Sequence, residues 1–520
     1  MLKHPRVLLL VAAAVAALTV SSAASTAVGP DTSALREAVA TAGIMEHQSE
    51  FQAIATANAV SGVPTRAVET PGYEASVDYV AGLLEDADYE VTTQDFTYEA
   101  FIDVTPPEFE RVSPDPEVYV NGFEEDFLTM TWSGTGDVTA ELVAVDGIVI
   151  PSPGGSTSGC EAGDFADFPV GAIALIQRGT CPFRQKVTNA EEAEAAGVVI
   201  FNEGNVDPSD DRFGVVNGTL DPPATPAEIP VIGTSFAVGE ELYNLTQEGT
   251  VTVHLAVNAD LVEKTSSNVI ADTPGGREDR TVVVGAHLDS VPEGPGINDN
   301  GSGSSTILEI ALQMAELDIE PVNQVRFAFW GAEEDGLVGS QFYVDSLAKS
   351  ELKDIMLNLN FDMVGSPNFV RFVYDGDGSA FGVDGPSGSG TIEDVFTDYF
   401  TSIAGGLATE PTEFDGRSDY DAFINAGIPA GGLFTGAEGI KTPAQATIYG
   451  GTAGVAYDPC YHQLCDNINN LSSTALDQMS DAAAHATLLF AMTKSSVNGT
   501  DNASNRAKDN MQFKASFAKK

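Results

Sequence analysis

Thiols are scarce. The 520 residues hold four cysteines, Cys160, Cys181, Cys460 and Cys465, and their spacings match no zinc-knuckle pattern, so thiolate-bound metal is not expected. Basic residues are scarce as well: 24 Lys plus Arg stand against 76 Asp plus Glu, a net charge of −52. Such a field repels phosphates, which argues against nucleic acid as a partner. The excess acid reads as a solubility or salt adaptation of the surface. Long apolar runs are missing too. The one candidate, from Val7 to Val20, is too short for a comfortable membrane span, so no membrane anchor is expected.

That short run is informative in itself. It follows Lys3 and Arg6 and precedes small residues, the pattern of a secretory signal, here residues 1–24. The protein is therefore expected to be secreted, and four cysteines in an exported chain read as disulfides. Three pairings are possible, and the spacing favours Cys160–Cys181 with Cys460–Cys465. At the other end, residues 496–520 form a polar basic tail, read as a disordered or processed extension.

Hydrophobic content of 43% is enough to fill real cores, and the length suggests more than one domain. From 31 to 125 a helical opening gives way to strands. Thr70 is placed to cap a helix with Pro71 at its first position, and Val77, Val80, Leu83 and Leu84 recur at helical spacing. Residues 126–258 have another texture, with short β-like runs such as AIALIQRG and VVIFNEG around one helix, and read as an inserted β-rich module. From 259 to 495 longer strands and helices alternate: RTVVVGAHLD, GSSTILEIALQMAEL, NQVRFAFWG, DIMLNLNFDMVG. The fold class this implies is α/β, a central mixed and mostly parallel sheet flanked by helices on both faces.

In open α/β sheets ligands bind beyond the carboxyl ends of the strands. Three strand ends here carry metal-ligand chemistry. TVVVGAHLD ends in His287 and Asp289, RFAFWGAEED in Glu333 and Glu334, and LNLNFDMVG in Asp362. Asp299 sits among glycines in PGINDNGSGSS, just before a helix start. His462 lies between two cysteines in YDPCYHQLCD. Two histidines with several carboxylates, aimed at one edge of a sheet, suit zinc.

The blocks GAHLDS, GINDNGSG, FWGAEEDGLVGS, NFDMVGSPN and DPCYHQLCD resemble the motif set of the secreted co-catalytic dinuclear zinc aminopeptidases. That family includes bacterial and fungal leucine aminopeptidases and the transferrin-receptor and glutamate-carboxypeptidase ectodomains. AIALIQRGTCPFRQKVTNAEEAEAAGVVIFNEG resembles a protease-associated (PA) domain. The resemblance implies a zinc-exopeptidase fold in two parts, 31–125 and 259–495, with the PA domain inserted at 126–258. It implies that Asp299 bridges two zinc ions, with His287 and Asp362 completing one site and Glu334 and His462 the other. Asp289 would orient the His287 imidazole. Glu333 would be the general base toward a hydroxide bridging the two ions, and Tyr461 would hydrogen-bond the oxyanion. Arg417 would help fix the substrate, with Met363 and Phe434 lining an apolar side-chain pocket. Some relatives bind calcium near the position of Asp477 and Asp481, with Asp31 the matching third acid, so Ca²⁺ is a further candidate.

The implied substrates are peptides or proteins with a free N-terminus, Leu-like residues foremost. Three rivals remain: a carboxypeptidase, which needs arginines that are scarce around these motifs; a one-zinc glutaminyl cyclase; and a binding ectodomain with a dead peptidase fold, which would have lost ligands.

Overall fold

The computed structural model describes residues 30–122, 125–152, 155–204, 206–207, 210–220, 225–494 and 497. The expected signal segment, and the basic tail apart from Val497, lie outside the described residues. Among those described, no helix is long and apolar enough to cross a membrane.

The opening helices are α1 (Thr41–Ala57) and α2 (Pro71–Asp86). α2 starts as its sequence dictates, with the Thr70 side chain accepting from Tyr73 N and Pro71 in the first turn. Its Val77, Val80 and Leu84 are buried, which fixes the face it turns to the core.

A long strand, β1 (Glu90–Ser113), leads into the inserted region of β2 (Phe127–Thr129), β3 (Gly136–Ala144), β4 (Ile173–Gln177), helix α3 (Phe183–Glu192), β5 (Gly197–Phe201) and β6 (Val231–Thr234). β7 (Val251–Asp272) returns antiparallel to β1. The alternation then runs β8 (Arg277–His287), α4 (Gly301–Glu316), β9 (Asn323–Trp330), α5 (Val338–Ser346), β10 (Ile355–Phe361), β11 (Phe372–Tyr374), β12 (Glu410–Thr412), α6 (Tyr420–Asn425), β13 (Ala430–Phe434) and α7 (Ser473–Met492).

The hydrogen-bonded order is β12-β11-β13-β10-β8-β9-β7-β3-β4-β5-β6-β2. β13, β10, β8 and β9 run parallel, giving the mixed, mostly parallel sheet expected. β7 belongs to both halves. Val251–Val257 pair with β3 in the insert, and Val269–Asp272 pair with β9 in the α/β part. The expected boundary between 258 and 259 therefore falls inside a continuous strand. What separates the two parts is their cores: one around Leu142, Ile173, Phe201 and Leu255, the other around Phe51, Val284, Phe327, Leu359 and Leu476.

The central strands are buried on both faces. Val282, Val284 and Ala286 pack with α1, α2, α4 and α7, while Val283 and Trp330 pack with Tyr343 and Phe423 on the other side. A near-continuous apolar run is what a helix-covered parallel sheet demands. Gly285 leaves room for the indole, since a Cβ there would stand 2.6 Å from Trp330 Nε1.

α7 contributes one buried imidazole. His485 is 7% exposed and its Nδ1 lies 2.8 Å from Thr32 Oγ1. Burial first, then the Arg36 charge, pushes its pKa from 6.5 down to about 4. Between those values the unfolded chain takes up a proton that the folded chain refuses, so stability falls as pH drops from about 6.5 to about 4. The expected loss, discounted for partial solvent screening, is about 1–2 kcal/mol. Urea midpoints across that range should show it, and His485→Gln should flatten that limb. An unchanged slope in the variant would refute the assignment.

Candidate active site

β9, β8 and β10 are adjacent and parallel, so their carboxyl ends share one edge of the sheet. His287 closes β8, Asp362 follows β10 directly, and Glu333 and Glu334 lie just past β9. Asp299 comes from the loop before α4, and His462 from the loop before α7. The structure brings all six together.

Their geometry is organised by Asp299. Its Oδ1 lies 3.2 Å from His287 Nε2 and its Oδ2 lies 3.3 Å from His462 Nε2. His287 Nε2 is also 3.3 Å from Asp362 Oδ1, and His462 Nε2 is 3.1 Å from Glu334 Oε2. A tetrahedral ion with N/O bonds of about 2.0–2.2 Å places its donors about 3.3–3.6 Å apart. The observed spacings of 3.1–3.3 Å lie at or just below the short end of that range, on both sides of Asp299. Glu334 Oε1 and Asp362 Oδ1 are buried with no hydrogen-bond partner, a costly state for carboxylate oxygens that an ion would relieve. The ligand atoms of His287, Asp299 and Glu334, and those of His287, Glu333 and Asp362, converge within 4.8 Å, so the donor set fits an ion of zinc type.

Glu333 Oε2 stands 3.9 Å from His287 Nε2. Its carboxyl is pushed well above the ordinary range by burial, opposed by His287 and reinforced by Asp362, Glu334 and Asp419. Asp289 makes contacts other than the expected hydrogen bond to His287. Its Oδ1 is 3.6 Å from His287 Nδ1, too long for a hydrogen bond. Its two oxygens instead accept the backbone N–H groups of Glu333 and Glu334, at 3.2 and 3.3 Å.

The remaining expected residues surround a solvent-open cleft of about 500 Å³ lined by Met363, Tyr374, Phe434, Arg417 and Tyr461 among others. The Tyr461 ring stacks on His462 with centroids 3.9 Å apart. Arg417 is paired with Glu438 at 2.8 Å and donates to Tyr461 Oη at 3.4 Å. Phe434 is stacked on Phe372.

Both disulfides are present, Cys160–Cys181 and Cys460–Cys465. The second closes a small loop around His462. The three acids considered for calcium are otherwise engaged. Asp31 accepts from Ser33, Asp477 from Thr41, and Asp481 from Tyr399 with Arg36 at 4.0 Å. Together they are not among the groups of described residues whose ligand atoms converge within 4.8 Å.

Sequence reasoning missed the residues that hold the ligands in place. Asn298 and Asn300 flank Asp299, and each accepts a backbone N–H from the segment after Asp362: Gly365 N on Asn298 Oδ1 at 3.2 Å, Met363 N on Asn300 Oδ1 at 3.1 Å. Ser418 Oγ donates to Asp362 Oδ2 at 2.7 Å and accepts from Asn360 Nδ2 at 2.8 Å. Arg66, fully buried, donates to the carbonyls of Leu288, Pro295 and Gly296, bracing the loop between His287 and Asp299. The signal for the asparagines was the N-D-N run itself; Arg66 offered none.

Residues 268–487 match the model of Peptidase family M28, and residues 138–242 match that of the PA domain. An aminopeptidase of Pseudomonas aeruginosa is 52% identical over 422 residues, 81% of this chain and 76% of that protein. A probable leucine aminopeptidase 2 of Aspergillus fumigatus is 44% identical over 385 residues, 74% of this chain and 72% of that one. Among solved structures, BSAP, a zinc aminopeptidase from Bacillus subtilis, is similar with a TM-score of 0.57 at 26% identity, covering 86% of this chain and 94% of that one.

Proposed function

Because the chain belongs to peptidase family M28, we propose that it is an exported zinc aminopeptidase that holds two zinc ions and removes unblocked, Leu-like N-terminal residues from peptides. One observation carries the reading. The Asp299 carboxylate offers one oxygen to the His287 side and the other to the His462 side, with Glu333 beside them. The similarity to the Pseudomonas and Aspergillus aminopeptidases and to the Bacillus zinc aminopeptidase supports it.

His287 and Asp362 would hold one ion, Glu334 and His462 the other, and Asp299 both. Zinc bound there lowers the pKa of water and polarises a carbonyl. Glu333 takes the proton of the attacking water and passes it to the leaving amine. Tyr461 donates to the oxygen on which charge develops. Met363, Tyr374 and Phe434 hold the apolar side chain, and the carboxylates of Glu333 and Asp362 attract the free ammonium.

A carboxypeptidase would need a cation free for the substrate carboxylate, and Arg417 already pairs with Glu438. The PA module (126–258) inserted between catalytic parts 31–125 and 259–495 is retained as the domain division of this proposal.

The test is zinc content together with turnover of Leu-p-nitroanilide and its N-acetylated analogue. Two zinc ions per chain, cleavage of the free substrate alone, and loss of activity with a chelator are expected. Absence of both zinc and turnover would end the enzyme reading. Equal cleavage of the blocked substrate would end the aminopeptidase reading.

A further inference from the structure

Three consecutive backbone N–H groups around Asp299 all end on one residue. Ile297 N donates to the Asp466 carbonyl at 3.1 Å. Asn298 N donates to Asp466 Oδ1 at 2.9 Å, and Asp299 N to Asp466 Oδ2 at 3.0 Å. Asp466 is 2% exposed and lies four residues after His462, directly past the Cys460–Cys465 disulfide.

The contact is built into a closed ring of buried side chains. Asn470 Nδ2 donates to Asp466 Oδ1 at 3.1 Å and to Asp458 Oδ1 at 2.8 Å. Asp458 Oδ2 accepts from Asn298 Nδ2 at 2.6 Å, which returns to the loop where the ring began. Asp458 also accepts from Cys460 N at 2.9 Å. A single hydrogen bond would tether one loop to another. Two bonds to adjacent N–H groups from one carboxylate, plus a third from its own carbonyl, fix rotation as well as distance. The peptide of Asp299 is therefore oriented by the same short segment that carries His462.

We propose that Asp466 is a positioning residue that couples the two metal positions. It locks the loop of the bridging Asp299 to the loop of His462, so that the two ions are held as a unit. The inference rests on the two-zinc reading above. It differs from a general packing role because it names which position suffers. His287 and Asp362 stand at the ends of adjacent strands of the sheet, and the Asp362 carboxylate is also held by Ser418, so this pair has support besides the Asp466 loop. His462 and Glu334 share their ion with Asp299 only while the two loops stay in register. Outer partners of metal ligands typically carry 10–100-fold in affinity, and that loss should fall on the His462 position.

The experiment titrates zinc from the whole enzyme against buffered free zinc, with metal counted per chain and thermal melting recorded in parallel. Wild type should release two ions in one transition. Asp466→Asn keeps the shape and one oxygen but turns an amide toward the other N–H. Its release should split into two transitions separated by about 10–100-fold in free zinc, and X-ray absorption should show the zinc–zinc vector lengthened or lost. If Asp466→Asn melts earlier yet still releases both ions together, the coupling role is overturned and the residue merely supports the fold. Should that variant fail to fold, Asp466→Glu keeps the charge and both oxygens but displaces them by a methylene from the N–H groups of Asn298 and Asp299. A split in the same range of about 10–100-fold is then expected, and a single transition overturns the proposal. Wild type binding fewer than two ions would strike the two-zinc reading itself, a different failure from an unsplit variant.

Discussion

Glu333→Gln is expected to lower kcat on Leu-p-nitroanilide by about 10²–10⁴-fold, the usual contribution of a positioned general base, while both zinc ions stay bound. Glu334→Gln is expected to lose zinc first, with activity following the metal. The two glutamates are neighbours in the chain, yet their surroundings differ. Glu334 Oε2 lies 3.1 Å from His462 Nε2, and its Oε1 is buried without a hydrogen-bond partner, so its carboxylate is committed to the ligand cluster. Glu333 stands 3.9 Å from His287 Nε2. Gln at 333 keeps size and backbone, including the N–H held by Asp289, but it cannot accept and return a proton. Zinc per chain after dialysis, measured beside kcat and KM, separates the cases. Equal zinc retention by both variants, or earlier loss from Glu333→Gln, would overturn the division of roles.

The convergence of these side chains was legible in the sequence because the fold announces it, whereas the separate roles of Glu333 and Glu334 came only from the family resemblance. Apolar runs ending in acids or histidine identify strand ends of a buried parallel sheet, and such ends share an edge. His287, Glu333, Glu334 and Asp362 could be placed together on that ground. Asp299 stood out as an acid among glycines before a helix. The disulfide pairing followed from spacing, which left one short loop around His462. The supporting residues were harder to see, for a physical reason. Asp466 and Arg66 act on backbone N–H and carbonyl groups, which every residue possesses, so their partners leave no mark in the sequence; Asp289 was named, but not for the backbone N–H groups it holds. The continuity of β7 was equally hidden. Composition changes near residue 258, yet β7 runs on through it: Ala259 pairs with Asp103 and Asn258 with Thr105 of β1, with only a register shift between them, because strand pairing depends on the backbone and cores depend on side chains.

Arg66→Met is expected to destabilise the protein by about 3–5 kcal/mol, the range for breaking a buried charged network by removing one partner. The arginine is wholly buried, and its guanidinium lies 4.9 Å from the Phe51 ring centre. Burial pulls its pKa from 12.5 down to about 10, with Asp289, Asp466 and Asp299 holding it up, so it remains charged at any working pH. Its Nε donates to Pro295 O at 3.0 Å and its Nη2 to Gly296 O at 2.6 Å, with Leu288 O held by Nη1. Methionine fills much of the space and supplies none of those donors, leaving the Leu288 and Pro295 carbonyls unsatisfied and the Gly296 carbonyl with only its bond from Gly301 N. It also removes a cation from beneath a cluster of carboxylates, so their mutual repulsion rises. Lysine keeps the charge but lacks the planar fork, so Arg66→Lys should recover part of the loss and not all of it. At about 2 °C per kcal/mol for a large domain, melting should fall by about 6–10 °C in Arg66→Met. The zinc-stripped protein should show the drop too, since the three carbonyls belong to the fold and not to the ions. A melting point within about 1 °C of wild type in the stripped protein would mean that the loop is held by something other than Arg66.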